Sequence, residues 1–148
     1  MKGQASFEYL LVVAIVFITA VPATYFLVSY SQDSNEEIAV SQFEDIGHAL
    51  ISQAESVFYA GKGSKSTLTL NFPEGLEAVT IYDQRELAFN ISSRLGNEEL
   101  VFFSRVKLTN GTFTCTTGVP CPIHNLLVAG KKDVVVEALQ GEVKIEPK

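Results

Sequence analysis

Few residues in this chain are placed to do chemistry, and the most unusual is Glu8, a lone acid near the start of the apolar run FEYLLVVAIVFITAVPATYFLVSY. From Tyr9 to Gln32 no residue carries a formal charge. A hydrocarbon layer of about 30 Å needs roughly 20 apolar helical residues to cross it, so the run is long enough to span. A carboxylate at mid-bilayer costs on the order of 3 kcal/mol, of which the N-terminal dipole of its own helix returns about 0.3 to 1. An acid in this position therefore calls for a partner.

The residues before it supply a candidate. Lys2-Gly3 followed by Gln4-Ala5-Ser6-Phe7-Glu8-Tyr9-Leu10 resembles the class III signal peptide of archaeal type IV pilin-like proteins. The resemblance implies that a prepilin peptidase cuts between Gly3 and Gln4, leaving the apolar run on the mature chain with Glu8 as its fifth residue. It also implies that Glu8 meets the new α-amino group at Gln4 of a neighbouring subunit and so sets the register of a filament. Two opposite charges about 4 Å apart at an effective dielectric near 20 attract by about 4 kcal/mol before desolvation, comparable to the cost of placing the acid in lipid. Gln4 and Glu8 are also i,i+4 neighbours on a helix, which leaves a pair within one subunit open. A terminal glutamine that cyclises would lose the charge Glu8 needs. Two further readings stay open: a cleaved secretory signal with Val21-Pro22-Ala23 as its cut site, and a plain single-pass anchor. Against the first, Glu8 interrupts what should be a purely apolar core.

The remaining reactive types are sparse. Cys115 and Cys121 flank CTTGVPC, with no second pair to complete a zinc site, so a local disulfide is expected, free thiols beside a turn being the alternative. Closing so short a loop should stabilise less than the roughly 3 kcal/mol of a 15-residue loop. Asn90-Ile91-Ser92 and Asn110-Gly111-Thr112 are N-glycosylation acceptors, both expected to be accessible, the first on the solvent face of a strand and the second in a tight turn. His48 and His124 belong to no metal or nucleophile motif, and His124 reads as a structural histidine. Glu36-Glu37 and Glu98-Glu99 read as solvated faces. GKGSKST lacks the glycine spacing of a phosphate loop and reads as a linker. No catalytic residue, metal or cofactor is expected, and no enzymatic activity.

The elements that must position these residues follow from periodicity and charge. At 148 residues with 47% hydrophobic content, the chain holds one anchoring segment and one small globular domain. The net charge of −6 is uneven: Glu8, Asp33, Glu36, Glu37, Glu44, Asp45 and Glu55 all precede Gly61, whereas every cation but Lys2 follows it. There is no basic surface for nucleic acid to bind. Ala39, Phe43, Ile46, Leu50, Ala54 and Val57 recur as the stripe of an amphipathic helix, with Glu44, Asp45, His48, Ser52 and Glu55 largely opposite. Pro22 cannot donate to the Ile18 carbonyl, so a kink or loosened turn is expected there. Ser34 and Glu37 match a capping box, yet a helix continuous through 31–37 is preferred. Gly61 ends the helix.

From Ser66 the period changes to two, and Pro73-Glu74-Gly75 makes a turn. Strands are expected over 66–72, Ala78 to Tyr82, Glu86 to Ile91, Leu100 to Lys107, Gly111 to Cys115, His124 to Ala129, Asp133 to Leu139 and Gly141 to Glu146. The fold class is thus α+β, a long N-terminal helix with an apolar spanning half and an amphipathic half, followed by an antiparallel β-sandwich-like domain. Its divisions are a leader at 1–3, the helix at 4–61 (spanning at 4–30, amphipathic at 31–61) and the β domain at 62–148. Whether the helix stripe lies on a sheet face or covers an edge between two sheets is not decided by pattern.

The functional expectation is a structural subunit of a type IV pilus-like filament, located at the cell surface with a membrane-embedded precursor. Its implied partners are identical subunits in a helical filament, the prepilin peptidase and pilus assembly machinery, and the membrane before assembly. The rival is a monomeric, membrane-anchored β-sandwich that binds a surface or ligand through its loops.

Overall fold

A computed structural model of the chain describes residues 4–93, 96–111, 115, 118–124, 126 and 128–148, the side chains at 4–6 and 32–36 excepted. The elements in order are α1 (Gln4–Ala60), β1 (Lys65–Phe72), β2 (Leu76–Tyr82), β3 (Glu86–Ser93), β4 (Gly96–Phe103), β5 (Leu108–Thr109), β6 (Cys121–Pro122), β7 (Gly130–Ala138) and β8 (Val143–Pro147). The chain divides into two compact units, Met1–Ile38 and Ala39–Lys148, so the second half of α1 belongs to the β unit.

In the first unit, Phe7–Ser31 is a 25-residue helical stretch with a mean hydropathy of 2.5 and none of it buried. It is long and apolar enough to cross a membrane. The helix continues through Pro22 and through 31–37 as one element. Thr19 Oγ1 donates to the carbonyls of Ile15 and Val16, and Thr24 Oγ1 to that of Ala20. In apolar surroundings this is how a hydroxyl finds an acceptor without leaving its own helix.

The second unit has two four-stranded sheets, β1-β7-β8-β5 and β4-β3-β2-β6. Their inner faces and α1 share one core. The stripe read from the sequence supplies Phe43, Ile46, Leu50, Ala54 and Val57, all buried. Leu50 and Ala54 have no exposed surface, each such Leu or Phe being worth about 1.5–3 kcal/mol in removal from water. The open question of placement is answered by rings: Phe43 meets Phe89 of β3 at 6.3 Å, and Phe89 meets Phe102 of β4 at 5.5 Å. The helix thus lies on the inner face of β3 and β4. Gly47 makes the approach possible, because a Cβ there would stand inside the Phe102 ring. α1 ends at Gly61 with φ of 103°, a conformation open to glycine at little cost.

Four expectations change. The strand placed at Leu100 to Lys107 starts earlier and stops at Phe103, where the chain leaves its sheet. Val106 is buried, and Leu108 then joins the other sheet beside β8 in parallel, so the sheets are not wholly antiparallel. Burying Val106 and Leu108 between the layers decides that crossing. No strand forms over the described residues of His124 to Ala129; pairing falls instead at Cys121–Pro122, opposite Ile81 and Thr80. Glu55, placed on the solvent face, accepts a hydrogen bond from the Arg105 backbone N–H at 3.1 Å. The strand expected at Gly111 to Cys115 lies largely outside the described residues.

Candidate functional site

The helix residues come first. Gly3 lies outside the described residues, and Gln4 opens α1 with its side chain outside them. Glu8 is exposed on α1, one residue after Phe7 and one before Tyr9, which are 69% and 71% exposed. A fully apolar helix surface with a carboxylate near its start has no counterpart inside the first unit to cover it. Chemically it can do two things: dissolve in lipid, or pack against other apolar helices with the acid meeting a cation there. Pro22 sits midway along this surface, between Thr19 and Thr24.

The β unit carries a second constellation, around the disulfide. Cys115 and Cys121 are bonded, with Cα atoms 5.7 Å apart, and both are buried. Three residues, Asp83 to Arg85, connect β2 to β3, and the turn Tyr82 to Arg85 is closed by Arg85 N–H donating to the Tyr82 carbonyl at 3.0 Å. Both central residues, Asp83 and Gln84, have positive φ, 48° and 60°, which β-carbons disfavour. Their side chains account for the choice of residue. Asp83 Oδ1 accepts from Gly118 N–H at 2.8 Å, and Gln84 Nε2 donates to the Cys115 carbonyl, so the turn grips the disulfide loop on both sides. The Gln84 carbonyl further accepts from Leu108 N–H at 2.6 Å. The signal for this clamp was the three-residue gap between the runs ending at Tyr82 and beginning at Glu86. The positive φ values need coordinates.

One of the two sequons differs from expectation. Asn110 is buried, and its Nδ2 donates to the Pro122 carbonyl at 2.9 Å, so the accessible turn read from Asn-Gly is corrected. The same β6 segment that replaces the expected strand covers it. Asn90 is half-buried on the central strand β3, opposite Glu99. His48 is exposed with its ring 5.3 Å from Phe102, and His124 is exposed in a turn, not enclosed as a structural histidine would be. Among the described residues, no three His, Cys, Asp or Glu side chains gather to hold a metal ion.

The outer face of the β1 sheet carries ion pairs. Lys144 Nζ lies 2.9 Å from Glu146 and 3.6 Å from Glu137, which also meets Lys65 at 3.7 Å. The hydrogen bond to Glu146 raises the Lys144 pKa above its ordinary value. Burial opposes this, and the charges of Glu146 and Glu137 reinforce it.

No family model, curated protein or solved structure matches the chain.

Proposed function

We propose that the chain is a structural subunit of an extracellular filament of the archaeal type IV pilus kind, processed after Gly3 and polymerised through its N-terminal helix. The observation that carries this reading is the 25-residue stretch Phe7–Ser31, apolar on every side and unburied, within a helix whose second half is built into a β unit. Such a stretch has two lives, in lipid before assembly and against copies of itself afterwards, and hydrophobic burial favours both. Glu8 penalises the first and is relieved in the second when it meets a neighbour's new α-amino group. Pro22 removes one backbone hydrogen bond from the spanning stretch, which eases the bending needed as a subunit leaves the membrane. The reading places the precursor in the membrane and the product at the cell surface, with prepilin peptidase and assembly machinery as partners and no catalytic role.

The test has two arms. Mass analysis of the exported protein should find Gln4, or its cyclised form, as the first residue; a start at Met1 supports the rival anchored β module, and one near Thr24 a cleaved secretory signal. Glu8→Ala should leave membrane insertion intact or improved while abolishing filaments. Filaments at the wild-type yield would remove Glu8 from the mechanism.

A further inference from the structure

Among the described residues, each sheet of the β unit has one full-length strand at its edge with a partner on one side only. Among the described residues, β4 pairs with β3 alone and β1 with β7 alone. Both strands are eight residues long, and both registers run without a bulge. Edges of this kind present a row of backbone donors and acceptors, and folded proteins ordinarily blunt them with proline, bulges or a covering segment. Neither edge has proline or a bulge.

The direction of the free groups can be read from the bonded ones. Ser104 N–H donates to the Arg85 carbonyl, and Ala138 N–H donates to the Ser64 carbonyl. Alternation along an antiparallel ladder then points the even residues of β4 and β1 inward and the odd ones to the open edge. Odd residues of both strands also carry the solvent-facing side chains.

We infer that the β4 edge of one copy pairs antiparallel with the β1 edge of the next, joining β units head to tail. The full eight-residue overlap sets odd residues against odd, so outer faces stay continuous and every free donor finds an acceptor. It places Phe103 opposite Lys65, Val101 opposite Thr67 and Glu99 opposite Thr69. Phe103 and Val101 are 72% and 39% exposed, and this overlap sets the stem of Lys65 beside the first and Thr67 beside the second. Charge agrees: β4 holds two acids and no cation, and β1 holds one lysine and no acid. Self-pairing of β4 is disfavoured by parity. Over the full length it would oppose residues of different faces, and the nearest allowed slips put Glu99 against its own copy or against Val101. Because the two edges differ, the contact is heterologous, and each copy that joins leaves one edge of each kind free for the next. It does not rest on the helix reading.

The experiment uses the full chain in detergent micelles and in membranes, with cysteines introduced at Val101 and Thr67. The native cysteines are already bonded to each other. Bonded antiparallel partners have Cα atoms about 5.5 Å apart, within disulfide range. Mild oxidation of the Val101→Cys, Thr67→Cys double variant should give a ladder of dimers, trimers and larger species. The control, Val101→Cys with Ser41→Cys on the exposed helix face, should not. Dimers from Val101→Cys alone would overturn the inference in favour of β4 self-pairing, and no product from the double variant would overturn it outright. A second variant, Val101→Pro, deletes one outward N–H while sparing the β3 ladder, which edge strands tolerate. It should keep the wild-type circular dichroism and weaken association by about tenfold or more. Unchanged association would sink the proposal. Filaments that form without the ladder would remove the edge contact and leave the filament reading standing, and a ladder without filaments would do the reverse.

Discussion

Between Phe7 and Ser31, α1 shows large apolar side chains on every side, whereas between Phe43 and Val57 it gathers them on one side and buries them in the core of the β unit. Both halves are helical and both are rich in Leu, Ile, Val and Phe. The difference lies in where the polar residues go. In the second half, Glu44, Asp45, His48 and Ser52 hold the outer side and let the stripe find its own core. The first half has no such polar side, so it calls for apolar surroundings all round.

Substitution at equivalent chemistry in the two halves should break this comparison most sharply if it is wrong. Leu50→Ala removes a side chain with no exposed surface and should cost the β unit about 3–5 kcal/mol, enough to threaten folding altogether. Leu11→Ala, at a position 49% exposed, should leave thermal unfolding of that unit within about 0.5 kcal/mol of the parent. Equal losses, measured by denaturation of the full chain in detergent, would mean that the first half is covered by the protein's own fold.

A smaller effect is expected at Gly47. Alanine there gains up to about 1 kcal/mol of helix propensity, yet its Cβ must displace the Phe102 ring, an overpacking worth about 1–3 kcal/mol. Phe102 is held between His48 and Phe89 and has little room to yield, so the net change should be a loss of about 1 kcal/mol. A higher melting temperature for Gly47→Ala would show that the ring moves freely. Smaller again, Glu55→Ala should cost about 0.5–1.5 kcal/mol by leaving the Arg105 N–H to water, while Glu44→Ala, at an exposed position on the helix, should cost less.

Local pattern carried much of this. The stripe from Phe43 to Val57, the glycine stop at Gly61, the alternation of β1 and the bonded pair Cys115–Cys121 all depend on residues near one another in sequence. What could not be read depends on partners far along the chain. Val106 looks like the tail of β4 until the second sheet is there to receive Leu108, and Asn110 looks like an exposed turn until Pro122 takes its hydrogen bond. Asp83 and Gln84 carry no turn signature as strong as Asn-Gly, because what holds them at positive φ is a loop more than thirty residues away. The open edges of β1 and β4 are likewise invisible until the strand order is known.

Charge separates the two regions as firmly as hydrophobicity does, and pH sharpens that contrast. From Gln4 to Gly61 the acids have no cation among them, whereas the β unit sets Lys144 between Glu146 and Glu137. A lysine whose folded pKa is raised adds stability that is fully present below its ordinary value of 10.5 and is lost as pH climbs through the folded value. The loss therefore falls on the alkaline side only. Because the ammonium and its partners are partly exposed, screening holds the contribution to about 0.5 kcal/mol or less at moderate salt. Glu146→Gln should flatten the alkaline limb of a stability-against-pH curve and make it insensitive to salt, while Glu44→Gln on the helix should leave that limb as it was. An alkaline limb unchanged by Glu146→Gln would move the raised pKa to another cause, and one abolished by Glu44→Gln would tie the helix acids to cations of the sheets.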